Sequence, residues 1–71
     1  MKIAVLGAGA WGTAIGIVLA ARHDVRLWAR DPALAEALRA ERRNRRYLPN
    51  FPIPSGLEPT GDLGRALDGA E

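Results

Sequence analysis

A chain of 71 residues with no cysteine and a single histidine cannot rest on disulfides, a cysteine-based zinc site or thiol catalysis. It is 48% hydrophobic and 25% charged, too apolar for a disordered tail, and its net charge of +2 is too small for a polycation. A domain near this length buries only about 60% of its unfolded surface, so a self-sufficient fold of this size ordinarily needs a staple that this composition lacks.

Residues 3–21 carry no charged side chain and lie between Lys2 and Arg22. That pattern raises the question of a signal sequence or a spanning helix, and Gly12 with Gly16 makes a G-x-x-x-G spacing. The glycines argue against both: Gly7, Gly9, Gly12 and Gly16 interrupt the run, and each costs ~1 kcal/mol relative to alanine inside a helix. The stretch also changes at Gly7 from β-type residues to helix formers. A strand–turn–helix unit explains that change and a single span does not, so no membrane span is expected.

Lys2-Ile3-Ala4-Val5-Leu6 ends at a glycine and suits a buried parallel strand, apolar on both faces. Ala10 to Ala21 predicts a helix whose apolar residues nearly encircle it, so it should be largely buried. His23-Asp24 makes the turn, and Val25 to Ala29 reads as a second strand. Asp31-Pro32 is a helix start, with Asp as N-cap and Pro at the first helical position. That helix should run to Arg43, with Leu34 and Leu38 on one face. Glu36–Arg39 and Glu41–Arg45 should form exposed pairs. The arginines of its last turn complement the helix dipole. Tyr47 to Pro54 contains Pro49, Pro52 and Pro54, and should be neither helix nor central strand. Leu57-Glu58-Pro59 suits a short edge strand, Asp62 to Leu67 an Asp-capped helical turn, and Asp68 to Glu71 a turn. The order is β-α-β-α, an irregular stretch, and a short helix: α/β, with a Rossmann-type parallel sheet that is incomplete.

Gly7-Ala8-Gly9-Ala10-Trp11-Gly12 matches G-x-G-x-x-G. It follows a predicted strand, opens a predicted helix and lies in a β-α-β unit, the context that a dinucleotide-binding fingerprint requires. Gly7 allows the tight turn, Gly9 admits a pyrophosphate close to the backbone, and Gly12 lets the helix approach the strand. The N–H groups and dipole of the helix start then attract the anion. Gly16 extends the close packing one turn on. The alternatives are a glycine-rich turn without a ligand and a methyl-donor- or flavin-binding variant of the fold.

A site selective for NAD ordinarily has Asp or Glu about 20 residues on, bound to the ribose hydroxyls. Here Arg30 takes or adjoins that place, and a guanidinium suits a 2′-phosphate. Asp31 is wanted as N-cap. NADP, or use of both NADP and NAD, is therefore expected over strict NAD. Trp11 either flanks the cofactor or only covers the helix start. Arg39, Arg42, Arg43, Arg45 and Arg46 form a basic cluster, but no nucleic-acid motif accompanies it and Glu41 interrupts it. A solvated helix end is the expectation, with no nucleic-acid partner. His23 belongs to a turn rather than to acid–base catalysis.

Residues 2–14, Val25 to Pro32, and Asn44-Arg45-Arg46-Tyr47-Leu48-Pro49 with Phe51-Pro52-Ile53-Pro54 together resemble the N-terminus of bacterial-type NAD(P)-dependent glycerol-3-phosphate dehydrogenases. The glycine loop with an aromatic at Trp11 and the Tyr-Leu-Pro segment are the specific parts. The resemblance implies cofactor contacts from the loop around Ala10 and Trp11, from Arg30 and, more weakly, from Tyr47. The family commonly has Ser where this chain has Ala10, so a hydroxyl contact would be missing while the backbone N–H remains. It further implies a parent that interconverts glycerol 3-phosphate and dihydroxyacetone phosphate, a small phosphorylated substrate, and supplies the phospholipid backbone. A cytoplasmic location and a homodimeric parent belong to the same expectation.

The family's catalytic lysine and helical substrate domain lie further along. Lys2 is the only lysine and starts a strand, so no catalytic residue is assigned. Residues 1–71 are expected to be the N-terminal part of a dinucleotide-binding domain, ending where the next core strand should begin. Two or three parallel strands expose an edge and a face, so the isolated chain is expected to fold weakly or not at all. The competing functions are a nucleotide-sensing module that binds without reacting and the N-terminal unit of another dehydrogenase.

Overall fold

The computed structural model describes residues 1–70. Strand β1 (Lys2–Leu6) leads through a glycine turn into helix α1 (Ala10–Leu19), and β2 (Asp24–Trp28) leads into α2 (Pro32–Glu41). A short β3 (Arg43–Asn44) and β4 (Leu48–Pro52) follow, then β5 (Leu57–Thr60) and α3 (Leu63–Leu67). The main sheet has the order β1-β2-β5 and is parallel throughout. Lys2 to Leu6 stand beside Asp24 to Trp28, and Val25 to Trp28 stand beside Leu57 to Thr60. This is the expected α/β arrangement with a β-α-β unit at its start.

The central strand supplies the core. Val25, Leu27 and Ala29 are buried with Ala35, Leu38, Ile53 and Leu57. Val25 and Leu27 face α1, where a methyl on Gly16 would meet Leu57 Cδ1 at 2.9 Å. Arg26 takes the opposite face and donates to the carbonyls of Arg65 and Asp68 at 2.6 and 2.7 Å, tying α3 to the sheet. Both acidic caps form: Asp31 Oδ1 accepts from Ala33 N at 2.9 Å and Asp62 Oδ1 from Arg65 N at 3.2 Å. Pro59 has no N–H to give a ladder, and it sits in β5, the flanking strand of this sheet.

Four expectations are corrected. β1 is only partly buried, because it flanks the sheet, and Lys2 and Leu6 are exposed. α1 buries Thr13 and Gly16, while Trp11, Ile15 and Val18 form an outward stripe. α2 ends at Glu41 rather than Arg43, because Arg42 turns left-handed at φ 54°. Its guanidinium donates to the carbonyls of Pro54 and Leu57 at 2.7 and 3.0 Å, and its carbonyl accepts from Ile53 N at 2.7 Å. Those bonds offset the ~1 kcal/mol or more that a non-glycine residue spends in that region, and they remove Arg42 from the solvated cluster. Finally, part of the proline-rich stretch is a strand: β4 pairs antiparallel with β3 as a small hairpin outside the main sheet. Of the expected turn at residues 68–71, Glu71 lies outside the described residues.

Glu36–Arg39 and Glu41–Arg45 pair on the surface as expected. A further pair joins β5 to α3, with Arg65 Nη2 donating to Glu58 Oε1 at 3.0 Å. That hydrogen bond lowers the Glu58 pKa below its ordinary 4.5, against a smaller opposing effect of burial. A depressed carboxylate contributes stability that is present above its unfolded value and lost as pH falls through its folded value. Glu58→Gln should therefore lower the urea midpoint slightly at pH 7, since the pair is exposed. The variant should converge with wild type as pH falls below 4.5; equal midpoints at pH 7 would show that the pair contributes nothing.

Candidate functional site

β1 and β2 run parallel, so Leu6 lies beside Trp28 and both strands end on one edge. At that edge Gly7 N donates to Trp28 O at 3.0 Å. Gly7 adopts φ +129°, a conformation that side chains rarely enter. The chain then turns into α1, which starts close against the turn. A Cβ on Gly12 would lie 1.9 Å from Gly7 O and 3.1 Å from Gly7 C. Gly7 and Gly12 are thus explained within the protein, in the roles the sequence indicated.

Gly9 is different. It is the N-cap of α1, with ordinary extended angles of φ −73° and ψ −173°. A Cβ built there meets no protein atom within 4 Å. Neither backbone conformation nor internal packing requires glycine at this position. Open space over the backbone is what an external group approaching it would need. The first turn of α1 has no acidic side chain and Gly9 brings no side-chain cap. Its N–H groups point outward from a helix of ten residues, where the dipole adds a partial positive charge. Ala10 and Trp11 stand exposed beside this turn, Trp11 at 81%. Trp11 therefore covers little of the helix start.

Arg30 follows β2 on the same edge and is exposed. Ala29 N donates to Thr60 O at 2.9 Å, which holds the strand end just before it. Asp31, the nearest acid, is engaged as the cap of α2. Tyr47 is 42% exposed in the β3–β4 connection, with the Arg46 guanidinium 5.3 Å from its ring centre. The structure brings this remote segment to the glycine turn through Asn44, which donates to Ala8 O at 2.8 Å.

A family model described as the N-terminus of NAD-dependent glycerol-3-phosphate dehydrogenase matches residues 2–71. The chain belongs to this family.

Among the curated glycerol-3-phosphate dehydrogenases (NAD(P)+), that of Thermus thermophilus is 57% identical over all of this chain and 22% of its own length. That of Methylibium petroleiphilum is 54% identical over all of this chain and 21% of its own. A glycerol-3-phosphate dehydrogenase crystal structure from Coxiella burnetii superposes with a TM-score of 0.93 at 46% identity, covering 97% of this chain and 22% of that one. The Plasmodium falciparum glycerol-3-phosphate dehydrogenase gives 0.86 at 28% identity, covering 99% and 22%. The chain thus spans about a fifth of the length of these dehydrogenases.

How the chain holds its glycine turn is not legible in the sequence. Asn44 and Thr13 are wholly buried polar side chains, and their hydrogen bonds converge on Ala8. Asn44 stands between Arg43 and Arg45 in a run of charge that reads as surface. The available signal was a lone amide inside that run, beside a helix end.

Proposed function

We propose that this chain is the NAD(P)-binding N-terminal part of a dehydrogenase that interconverts sn-glycerol 3-phosphate and dihydroxyacetone phosphate. The observation that carries the reading is Gly9. Within a turn whose other glycines are explained by φ or packing, its missing Cβ serves no protein contact. A pyrophosphate at the N-terminus of α1 supplies the reason. Gly7 and Gly12 shape the cradle, the N–H groups of Ala10, Trp11 and Gly12 face the anion, and Trp11 and Tyr47 flank it. When bound, the nicotinamide supplies the hydride chemistry. The catalytic groups, the small phosphorylated substrate, a homodimeric parent and a cytoplasmic location are inferred from the family.

Arg30 bears on cofactor choice. With Asp31 engaged as a helix cap, no free acid follows β2 in the sequence before α2 to favour a 2′-hydroxyl over a 2′-phosphate. The exposed guanidinium of Arg30 suits the phosphate instead. In fluorescence titrations of the full-length protein, Arg30→Ala should weaken NADPH binding by roughly 10-fold or more, the scale of a charge-assisted hydrogen bond. NADH binding should change by less than about threefold. Equal losses for both would show that Arg30 does not read the 2′-phosphate. Failure of wild type to bind either dinucleotide would refute the proposed function.

A further inference from the structure

Asn44 is fully buried, yet it lies in a segment far along the chain from the glycine turn. Its side-chain amide donates to Ala8 O and to Thr13 Oγ1, both at 2.8 Å. Its Oδ1 accepts from Tyr47 N at 3.1 Å. Thr13, also fully buried, directs its hydroxyl to Ala8 O at 3.3 Å. Two donors from separate elements therefore hold one carbonyl, that of Ala8, toward the interior.

That carbonyl belongs to the peptide joining Ala8 to Gly9. In a trans peptide the C=O and the following N–H point in opposite directions, and no cis peptide is present among the described residues. Drawing Ala8 O inward therefore turns Gly9 N–H outward, toward the open space over Gly9. Burial makes the arrangement strict, because a polar group left unpaired inside would lose its water without a replacement partner.

We propose that Asn44, acting with Thr13, is a positioning residue for the dinucleotide pyrophosphate: it sets the orientation of the Ala8–Gly9 peptide without touching the ligand. The proposal rests on the proposed NAD(P) site and names a residue outside the glycine fingerprint that the site depends on. It also gives the β3–β4 hairpin a task, since Asn44 clamps that segment onto the turn.

The test titrates the full-length protein with ADP-ribose, which carries the pyrophosphate, and with adenosine, which does not. Asn44→Ala should weaken ADP-ribose by roughly 10-fold or more and leave adenosine within about twofold. Thr13→Val should act in the same direction and Thr13→Ser should restore binding. The Asn44→Ala/Thr13→Val double variant should be less impaired than the product of the single effects, as expected for one network. Circular dichroism and a thermal melt on each variant establish the folded fraction. A lowered melting temperature with unchanged ADP-ribose affinity of the folded protein, or equal losses for both ligands, overturns the proposal and leaves Asn44 a packing residue. If Asn44→Ala does not fold, Thr13→Val against Thr13→Ser decides by the same criteria. Absence of ADP-ribose binding by wild type refutes the dinucleotide site itself, and the proposal with it.

Discussion

Gly12→Ala is expected to destabilise the protein by ~3 kcal/mol or more and to abolish dinucleotide binding together with that loss. The new Cβ would sit 1.9 Å from Gly7 O and 3.5 Å from Val5 Cγ1. A carbonyl oxygen cannot rotate away as a side-chain end can. It is held by the Gly7 turn, whose own N–H is bonded to Trp28 O. The only relief is to push α1 off β1, by more than an ångström, which opens the packing beneath it. That places the cost at or above the upper end of the 1–3 kcal/mol typical for over-packing. Gly16→Ala is the internal control. Its Cβ would meet Leu57 Cδ1 at 2.9 Å, the end of a flexible side chain, so its effect should be clearly smaller. Urea titrations of the full-length protein, as wild type and as each of the two variants, measure both. Equal midpoints for Gly12→Ala and wild type would mean that the helix does not pack on the turn as described.

The β-α-β unit was legible because its signals are local. An apolar run ending at glycine, a switch to helix formers, and Asp31-Pro32 each act over a few residues, and each element formed close to its expected bounds. The caps by Asp31 and Asp62 were legible for the same reason. The misses are cases where distant partners decide. Arg42 leaves the helix because Pro54 and Leu57 carbonyls, 12 and 15 residues on, take its guanidinium. The Pro49 and Pro52 stretch pairs as a strand only because β3 is brought alongside it. The burial of α1 was overestimated because apolar composition does not say which faces are covered: Val18 remains 73% exposed. In the site, glycine spacing located the turn and gave each glycine a task, but spacing could not test those tasks. Three-dimensional packing does so, by accounting for Gly12 and leaving Gly9 without an internal reason. Asn44 was invisible for the converse reason, since its role exists only through contacts 31 and 36 residues away.

The second large effect follows from that separation of roles. Gly9 occupies the N-cap of α1 with extended angles that any residue adopts. Asp is among the best residues at such a position, because its carboxylate accepts from the first-turn N–H groups and complements the dipole. Gly9→Asp should therefore fold as stably as wild type, or more so. The same carboxylate would occupy the open space that the proposed function gives to the pyrophosphate and bring a like charge to within a few ångströms of it. At ~4 Å and an effective dielectric near 20 that repulsion is about 4 kcal/mol, enough for a loss of at least ~100-fold in affinity. Stability and binding are thus expected to move apart, which a merely structural glycine would not allow. The most direct measurement is a fluorescence titration of NADPH into full-length wild type and Gly9→Asp, each with its thermal melt. The cradle reading predicts undiminished melting temperature and binding weaker by at least ~100-fold in the variant. Binding within a few-fold of wild type by a well-folded Gly9→Asp protein would contradict it.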